Sequence, residues 1–186
     1  MLCINSKNNI GGFMTFKFFC MLSISFSGNL VFHKCIQMAE IRLEKELLEI
    51  SKDPPPGCSA GPLDDNIFIW EAMIAGPYDD EKSPYAGGVF FLRLTIPNNY
   101  PWQPPMVKFL TDIYHPNVKQ SSRDLCLNIL SSGWSPDLTI SKLLLCIKAL
   151  LDSPDPNGGK LSLSEALTYN RTAADWTRKC AMLDEY

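Results

Sequence analysis

The residues best suited to chemistry lie in one segment of this 186-residue sequence, residues 114–135. His115, Pro116 and Asn117 follow one another, and Cys126 comes nine residues later. A cysteine thiolate acts as a nucleophile when its pKa is lowered or when its substrate is already activated. A cysteine between two leucines, however, is more often a small buried hydrophobe. Whether Cys126 is a nucleophile or a core side chain must therefore be judged from the residues around it.

His115 is a poor candidate for the general base of Cys126. It is followed directly by Pro116 in a turn, where we expect its ring to brace the loop by hydrogen bonding. Without a strong base, the chemistry should be one in which thiols attack and leave at similar cost, as in thioester exchange. Asn117 offers an amide that would lock the loop or donate to a developing oxyanion, and one preorganised donor is worth roughly 3 kcal/mol. The residues around Cys126 are thus compatible with an acyl-carrying nucleophile, and the alternative of a small buried hydrophobe stays open at this point.

The cysteine, histidine and charge content limits other kinds of site. The seven cysteines are odd in number and none is separated from another by two residues, which disfavours a disulfide framework and a zinc site and suits a reducing compartment. Only His33 and His115 are available as imidazole ligands, so we expect no metal. The chain after residue 37 carries 14 basic and 20 acidic residues, and this acidic balance argues against nucleic acid as a partner.

The first 37 residues differ from the rest because they contain no acidic residue. Their one apolar run, residues 18–26, is too short to span a bilayer as a helix, so no membrane anchor is predicted. Lys17 before the run and Ser25-Phe26-Ser27 after it have the form of a weak secretory signal. We favour the alternative, in which residues 1–37 are a disordered extension or lie upstream of a start at Met38, and residues 38–186 form the folded domain.

Sequence patterns predict the helices and strands that position residues 114–135. Leu43, Leu47 and Ile50 recur at helical spacing and predict an amphipathic helix over Ala39–Ser51. Its apolar stripe would pack against the domain, and its charged outer face could serve as a docking surface. Three β-rich runs between turns predict antiparallel strands, and three later segments predict helices. The strands are predicted at Ile67–Ile74, Val89–Ile96 and Met106–Leu110, and the later helices at Leu138–Leu151, Ser162–Tyr169 and Thr172–Met182.

A stiff loop at residues 100–105 holds three prolines around Trp102. Proline cannot donate to a sheet ladder, so this loop is not a central strand. Trp102 would either close the core or face a partner, and the usual burial of tryptophan favours the core.

From Met38 to the C-terminus, an ordered series of motifs resembles the ubiquitin-conjugating (E2) family, most closely its small, single-domain, ubiquitin-specific members. The motifs are Asp53-Pro54-Pro55, Cys58-Ser59-Ala60-Gly61-Pro62, Trp70, Gly76-Pro77, residues 83–90, Tyr100-Pro101-Trp102-Gln103-Pro104-Pro105, Ile113-Tyr114-His115-Pro116-Asn117, Leu125-Cys126-Leu127 and Trp134-Ser135-Pro136. The resemblance implies an α+β fold, the UBC fold, with an N-terminal helix, a four-stranded antiparallel sheet, a central helix and C-terminal helices. Its fourth strand, which the periodicity does not reveal, is expected near His115.

The resemblance also implies a transferase and assigns roles to residues. Cys126 would accept ubiquitin from the E1 enzyme as a thioester and pass it to a substrate lysine or to a cysteine of an E3 ligase, with Asn117 as oxyanion or loop support and His115 and Pro116 as loop support. Contacts with E1 and with RING, HECT or RING-between-RING ligases are implied for Arg42, Lys45, Trp102, Pro136 and Asp137, and a backside ubiquitin contact for Ser59. No cofactor is implied, because ATP is used by the E1. The location implied is the cytoplasm and nucleus, or a secretory or organelle route if residues 1–37 act as a signal.

Departures from the family pattern bear on the acceptor. Asn128 replaces the aspartate common two positions after the cysteine, and Asn157 and Gly158 stand where many members have an acidic residue that gates the active site. These losses predict weak direct transfer to lysine and favour ligases that offer their own cysteine.

Three alternatives compete with ubiquitin conjugation. A non-catalytic E2-like binding module would lack the cysteine, so Cys126 and Asn117 argue against it. Conjugation of another ubiquitin-like modifier stays open, because the E1 largely selects the modifier. A cysteine hydrolase is poorly supported, since residues 38–186 contain a single histidine.

Overall fold

The computed structural model describes residues 27–78, 83–153 and 163–182. The elements, in chain order, are helix α1 at Ser27–Lys52, strands β1 at Cys58–Leu63, β2 at Asn66–Ala75, β3 at Val89–Thr95 and β4 at Met106–Phe109, a short 3-10 helix at Asn128–Leu130, and helices α2 at Ile140–Asp152 and α3 at Leu163–Cys180. The four strands form an antiparallel sheet in the order β1-β2-β3-β4. The predicted α+β fold is confirmed.

The core lies on one face of the sheet. Along β3 the side chains of Phe90, Leu92 and Leu94 point into the core, whereas Phe91 is exposed, as the two-residue period of a strand requires. Helix α1 contributes its buried side chains from one stripe, and α2 contributes five apolar side chains to the same core. The α1 residues are Ala39, Leu43 and Ile50, and those of α2 are Ile140, Leu143, Leu144, Ile147 and Leu151. In the described ranges, no helix is both long and apolar enough to cross a membrane.

The fourth strand of the sheet is β1, and its predicted position near His115 is wrong. β1 pairs with β2 in a register that sets Cys58 opposite Ile74. It contains Gly61 and Pro62, two residue types depleted in strands, which hides it from a propensity argument. Proline is tolerated there because β1 lies at the edge of the sheet.

Two of the predicted helix boundaries are also wrong. The two helices predicted at Ser162–Tyr169 and Thr172–Met182 are one continuous helix, α3, over Leu163–Cys180; Ser162 lies outside the described residues. Tyr169, Ala173 and Thr177 are buried at four-residue spacing, so a single stripe packs α3 over residues 169–177. Helix α1 begins at Ser27 rather than at Ala39. The predicted start was too late because apolar periodicity marks only the part of a helix that packs against the domain.

Candidate active site

Cys126 lies at the end of a short extended segment, residues 124–126, that is hydrogen-bonded on both sides. On one side the Leu125 N–H donates to the Val107 carbonyl of β4 at 2.9 Å, and on the other the Cys126 N–H donates to the Asn117 carbonyl at 2.7 Å. Side chains alternate along extended backbone, so Leu125 enters the core at 6% exposure and Cys126 emerges at the surface. The alternative in which Cys126 is a core residue is therefore excluded.

Asn117 contacts the backbone of Cys126 twice. Its carbonyl accepts the Cys126 N–H, and its side-chain Nδ2 donates to the Cys126 carbonyl at 3.3 Å. A carboxamide nitrogen carries two N–H donors, so this bond uses one of them. These two bonds fasten the Asn117 loop to the backbone of Cys126, and the role of Asn117 in transfer stays a prediction.

His115 is buried and hydrogen-bonded within its own loop. The ring is 3% exposed, and its Nδ1 accepts the backbone N–H of Asn117 at 3.0 Å across the turn at Pro116. Burial lowers the pKa of His115 to about 4; the Leu150 carbonyl opposes this shift but makes no standard hydrogen bond with the buried Nε2. The imidazole is thus neutral at neutral pH, and its basic nitrogen is occupied by Asn117.

One carboxylate near Cys126 was not singled out from the sequence. Asp124 precedes Cys126 by two residues in the extended segment, so the two side chains leave the backbone on the same side. The Asp124 carboxylate accepts a hydrogen bond from the Ser122 hydroxyl at 2.6 Å. The signal available in the sequence was the spacing of two within an extended run.

The predicted gate residues carry no charge where the structure describes them. Asn128 is exposed at the start of the 3-10 helix, and its Oδ1 accepts from the Ser132 hydroxyl at 2.8 Å. Asn157 and Gly158 lie outside the described residues.

Trp102 is 70% exposed, so the prediction that it closes the core is wrong. Its neighbour Tyr100 fills that place and is buried. The loop is fastened instead by Trp134, whose indole Nε1 donates to the Pro101 carbonyl at 2.7 Å and whose ring lies 6.0 Å from that of Tyr100. Trp102 is left facing solvent, where a large apolar side chain is available to a partner.

The other predicted contact residues differ in what they already bind. Arg42 donates to the carbonyls of Pro136 and Leu138, each at 3.2 Å, and so ties α1 to the loop before α2. The side chain of Lys45 is 73% exposed, with its ammonium 3.8 Å from the Glu49 carboxylate. Asp137 is also exposed. We conclude that Arg42 stabilises the fold, whereas Lys45 and Asp137 are accessible.

Glu46 is a structural residue that sequence reasoning missed. It is 2% exposed, and it accepts hydrogen bonds from Arg42, from the Tyr100 hydroxyl at 2.8 Å and from the Ile140 N–H at 2.7 Å. The last bond places a carboxylate at the N-terminus of α2, which the helix dipole favours. Its sequence signal was a charged residue on the Leu43–Ile50 face of α1.

Ser59 is exposed on β1, opposite Met73 of β2. It lies on the outer face of the sheet, away from the core. Among the described residues, no group of three or more His, Cys, Asp or Glu side chains is placed to hold a metal ion.

A helix-flanked antiparallel sheet with an exposed cysteine beside an Asn-locked loop defines an E2-type conjugating domain. Residues 42–179 match the family model described as ubiquitin-conjugating enzyme. The E2 domain of a Toxoplasma gondii ubiquitin-conjugating enzyme is similar, with a TM-score of 0.66 and 38% sequence identity over 76% of this chain and 98% of that chain. This chain belongs to the ubiquitin-conjugating enzyme family.

Proposed function

We propose that the protein accepts ubiquitin from an E1 enzyme as a thioester on Cys126 and passes it to a substrate lysine or to a cysteine of an E3 ligase. The observation that carries the proposal is the exposed Cys126, whose backbone N–H and carbonyl are both hydrogen-bonded to Asn117. An exposed thiol on fixed backbone is what exchange between two protein-bound thioesters requires, because both partners must reach the sulfur.

The chemistry proceeds in two acyl transfers. In the first, the Cys126 thiolate attacks the carbonyl of the E1-ubiquitin thioester and the E1 thiolate leaves. In the second, an acceptor amine or thiolate attacks the Cys126 thioester, the Cys126 thiolate leaves, and the proton of an amine acceptor passes to solvent. Neither thiol exchange needs a strong base, which agrees with a His115 that is buried, neutral and bonded to Asn117.

The charge near Cys126 supports a preference between acceptors. An incoming lysine arrives as an ammonium and reacts as an amine, so a carboxylate beside it assists by attracting the ammonium and accepting its proton as a general base. Asn128 supplies none, and this favours transfer to a ligase cysteine over direct transfer to lysine. Asp124 leaves the same side of its segment as Cys126, and its carboxylate would oppose this preference.

The proposed partner surface combines the accessible residues at one end of the domain. Lys45 of α1, Trp102 of the proline-rich loop and Asp137 of the loop before α2 offer a cation, an exposed aromatic ring and an anion to E1 and to ligases. Ser59 on the outer sheet face is proposed for a second, non-covalent ubiquitin. These partners would be met in the cytoplasm and nucleus.

Charging in vitro tests the proposal. Incubation with E1, ATP and ubiquitin should give an adduct on a non-reducing gel that reductant removes. Cys126→Ala should abolish it, whereas Cys146→Ala, which removes another exposed cysteine, should leave it intact. An adduct that survives in Cys126→Ala would refute the assignment, and parallel reactions with other modifiers and their own E1 enzymes would detect a different modifier.

A further inference from the structure

Three tyrosines connect α3 with the loop that carries Asn117. The hydroxyls of Tyr85 and Tyr169 are hydrogen-bonded to each other, and the Tyr85 hydroxyl donates to the Tyr114 carbonyl at 2.7 Å. Both rings are buried, Tyr85 in the loop before β3 and Tyr169 on α3. The Tyr114 ring lies 6.0 Å from that of Tyr169 and 6.0 Å from that of Trp176. The start of the Tyr114-His115-Pro116-Asn117 turn is therefore held from α3.

The direction of the hydrogen bonds in this group is fixed by counting protons. A tyrosine hydroxyl has one proton, and that of Tyr85 is directed to the Tyr114 carbonyl. Tyr169 must therefore donate to the Tyr85 oxygen. Burial raises the pKa of Tyr169 to about 12 and raises that of Tyr85 further, so both hydroxyls keep their protons throughout the working pH range.

Tyr85 also contacts His115 directly. The two rings are stacked with centroids 5.5 Å apart. His115 in turn accepts the N–H of Asn117, and Asn117 donates to the Cys126 carbonyl. A continuous set of contacts thus runs from the Tyr169 hydroxyl through Tyr85 and His115 to the loop at Cys126.

We propose that Tyr169 is a positioning residue for ubiquitin transfer: by donating to Tyr85 it fixes the ring on which His115 stacks, and so sets the orientation of Asn117 beside Cys126. The inference rests on the proposed function, because it concerns the transfer step at Cys126. Tyr169 does not touch the reacting atoms. It acts through the orientation of Asn117, and a small misplacement of such a residue slows the reaction.

The proposal predicts that transfer is impaired and charging is not. Thiol exchange with the E1 needs an exposed Cys126, whereas attack by an amine also needs the Asn117 amide in place. In Tyr169→Phe, discharge of the purified ubiquitin-charged protein onto free lysine should be slower by about fivefold at saturating lysine, with the KM for lysine unchanged.

The matched control is Tyr100→Phe. It also removes one buried tyrosine hydroxyl, but that hydroxyl donates to Glu46 and not toward Cys126. Its discharge rate onto free lysine should equal that of the parent protein. In the uncharged proteins, the side-chain amide NMR signals of Asn117 should shift in Tyr169→Phe and stay in place in Tyr100→Phe, which gives a readout that does not depend on activity.

Tyr85→Phe and the double variant make the test decisive. If the two hydroxyls act in one relay, Tyr85→Phe/Tyr169→Phe should discharge no more slowly than Tyr85→Phe alone. Parent-like discharge in Tyr169→Phe, or rate losses that multiply in the double variant, would overturn the proposal. Failure of the parent protein to charge would count against ubiquitin conjugation instead, and the Asn117 signals would still report whether Tyr169 orients that side chain.

Discussion

Glu46 and Ile140 lie 94 residues apart in the chain, yet the Glu46 carboxylate accepts the Ile140 N–H at 2.7 Å. The same carboxylate also accepts from Arg42 and from Tyr100. One buried anion therefore joins α1, the proline-rich loop and the N-terminus of α2. These are also the elements that present Lys45, Trp102 and Asp137, so the geometry of the proposed partner surface depends on Glu46.

Glu46→Gln should destabilise the protein by about 2 kcal/mol in urea unfolding, because it removes the charge that strengthens three hydrogen bonds while keeping the shape of the side chain. Glu49→Gln is the matched control, since it alters only an exposed pair with Lys45 and should change stability by less than about 0.5 kcal/mol. Equal stability of the two variants would refute the structural role of Glu46.

Stability should fall in mild acid because of His115. The unfolded imidazole titrates near ~6.5, whereas in the fold its pKa is about 4. Between these two pH values the unfolded chain binds more protons than the folded protein, so the free energy of unfolding increases with pH. The stability that the neutral His115 contributes is therefore lost progressively on acidification from about pH 6.5 to 4. The full effect of this one group is at most about 3 kcal/mol.

Unfolding experiments at pH 4.5 and 7 measure the His115 effect, with His115→Gln as the control. Glutamine keeps a hydrogen-bond acceptor within the site but does not titrate. The free energy of unfolding should change less between the two pH values in His115→Gln than in the parent protein, and the difference is the contribution of His115. An unchanged pH profile would show that another group is responsible.

The two loop tryptophans should respond oppositely to truncation. Trp102→Ala should change the free energy of unfolding by less than about 1 kcal/mol, because the side chain is largely exposed, but it should weaken ligase-stimulated discharge. Trp134→Ala should cost about 3 kcal/mol, because its ring packs on Tyr100 and its indole holds the Pro101 carbonyl. Urea unfolding and a discharge assay with a RING domain separate the two; a strongly destabilised Trp102→Ala would contradict the exposed position.

Sequence patterns predicted best those elements whose signal is local. β2 and β3 were located because they are β-rich apolar runs bounded by turn residues, and α2 because its apolar residues are dense enough for a buried helix. The bracing role of His115 was also accessible, because its partner Asn117 is two residues away. His115 and Asn117 could thus be named from the sequence, whereas Asp124 could not.

Features determined by distant partners could not be predicted in this way. The residues next to Trp102 and Trp134 do not show which of the two tryptophans fastens the proline-rich loop, because this depends on which indole reaches the Pro101 carbonyl. Glu46 looks like any other acid of α1 until Tyr100 and Ile140 are brought beside it. β1 was missed because Gly61 and Pro62 weaken its pattern and its pairing with β2 is what makes it a strand.

Restoring a carboxylate at Asn128 tests the acceptor preference. Asn128→Asp should keep the fold, because the Ser132 hydroxyl that now donates to Oδ1 can donate to a carboxylate equally well. It should speed discharge of the ubiquitin-charged protein onto free lysine by about fivefold, since a carboxylate attracts the ammonium and accepts its proton as a general base, while discharge onto free cysteine should stay the same. Asn98→Asp makes the same chemical change at an exposed position in the loop after β3 and should alter neither rate. If Asn128→Asp has no effect and Asp124→Asn slows the lysine reaction, then Asp124 already supplies the carboxylate and the predicted preference for ligase cysteines is wrong.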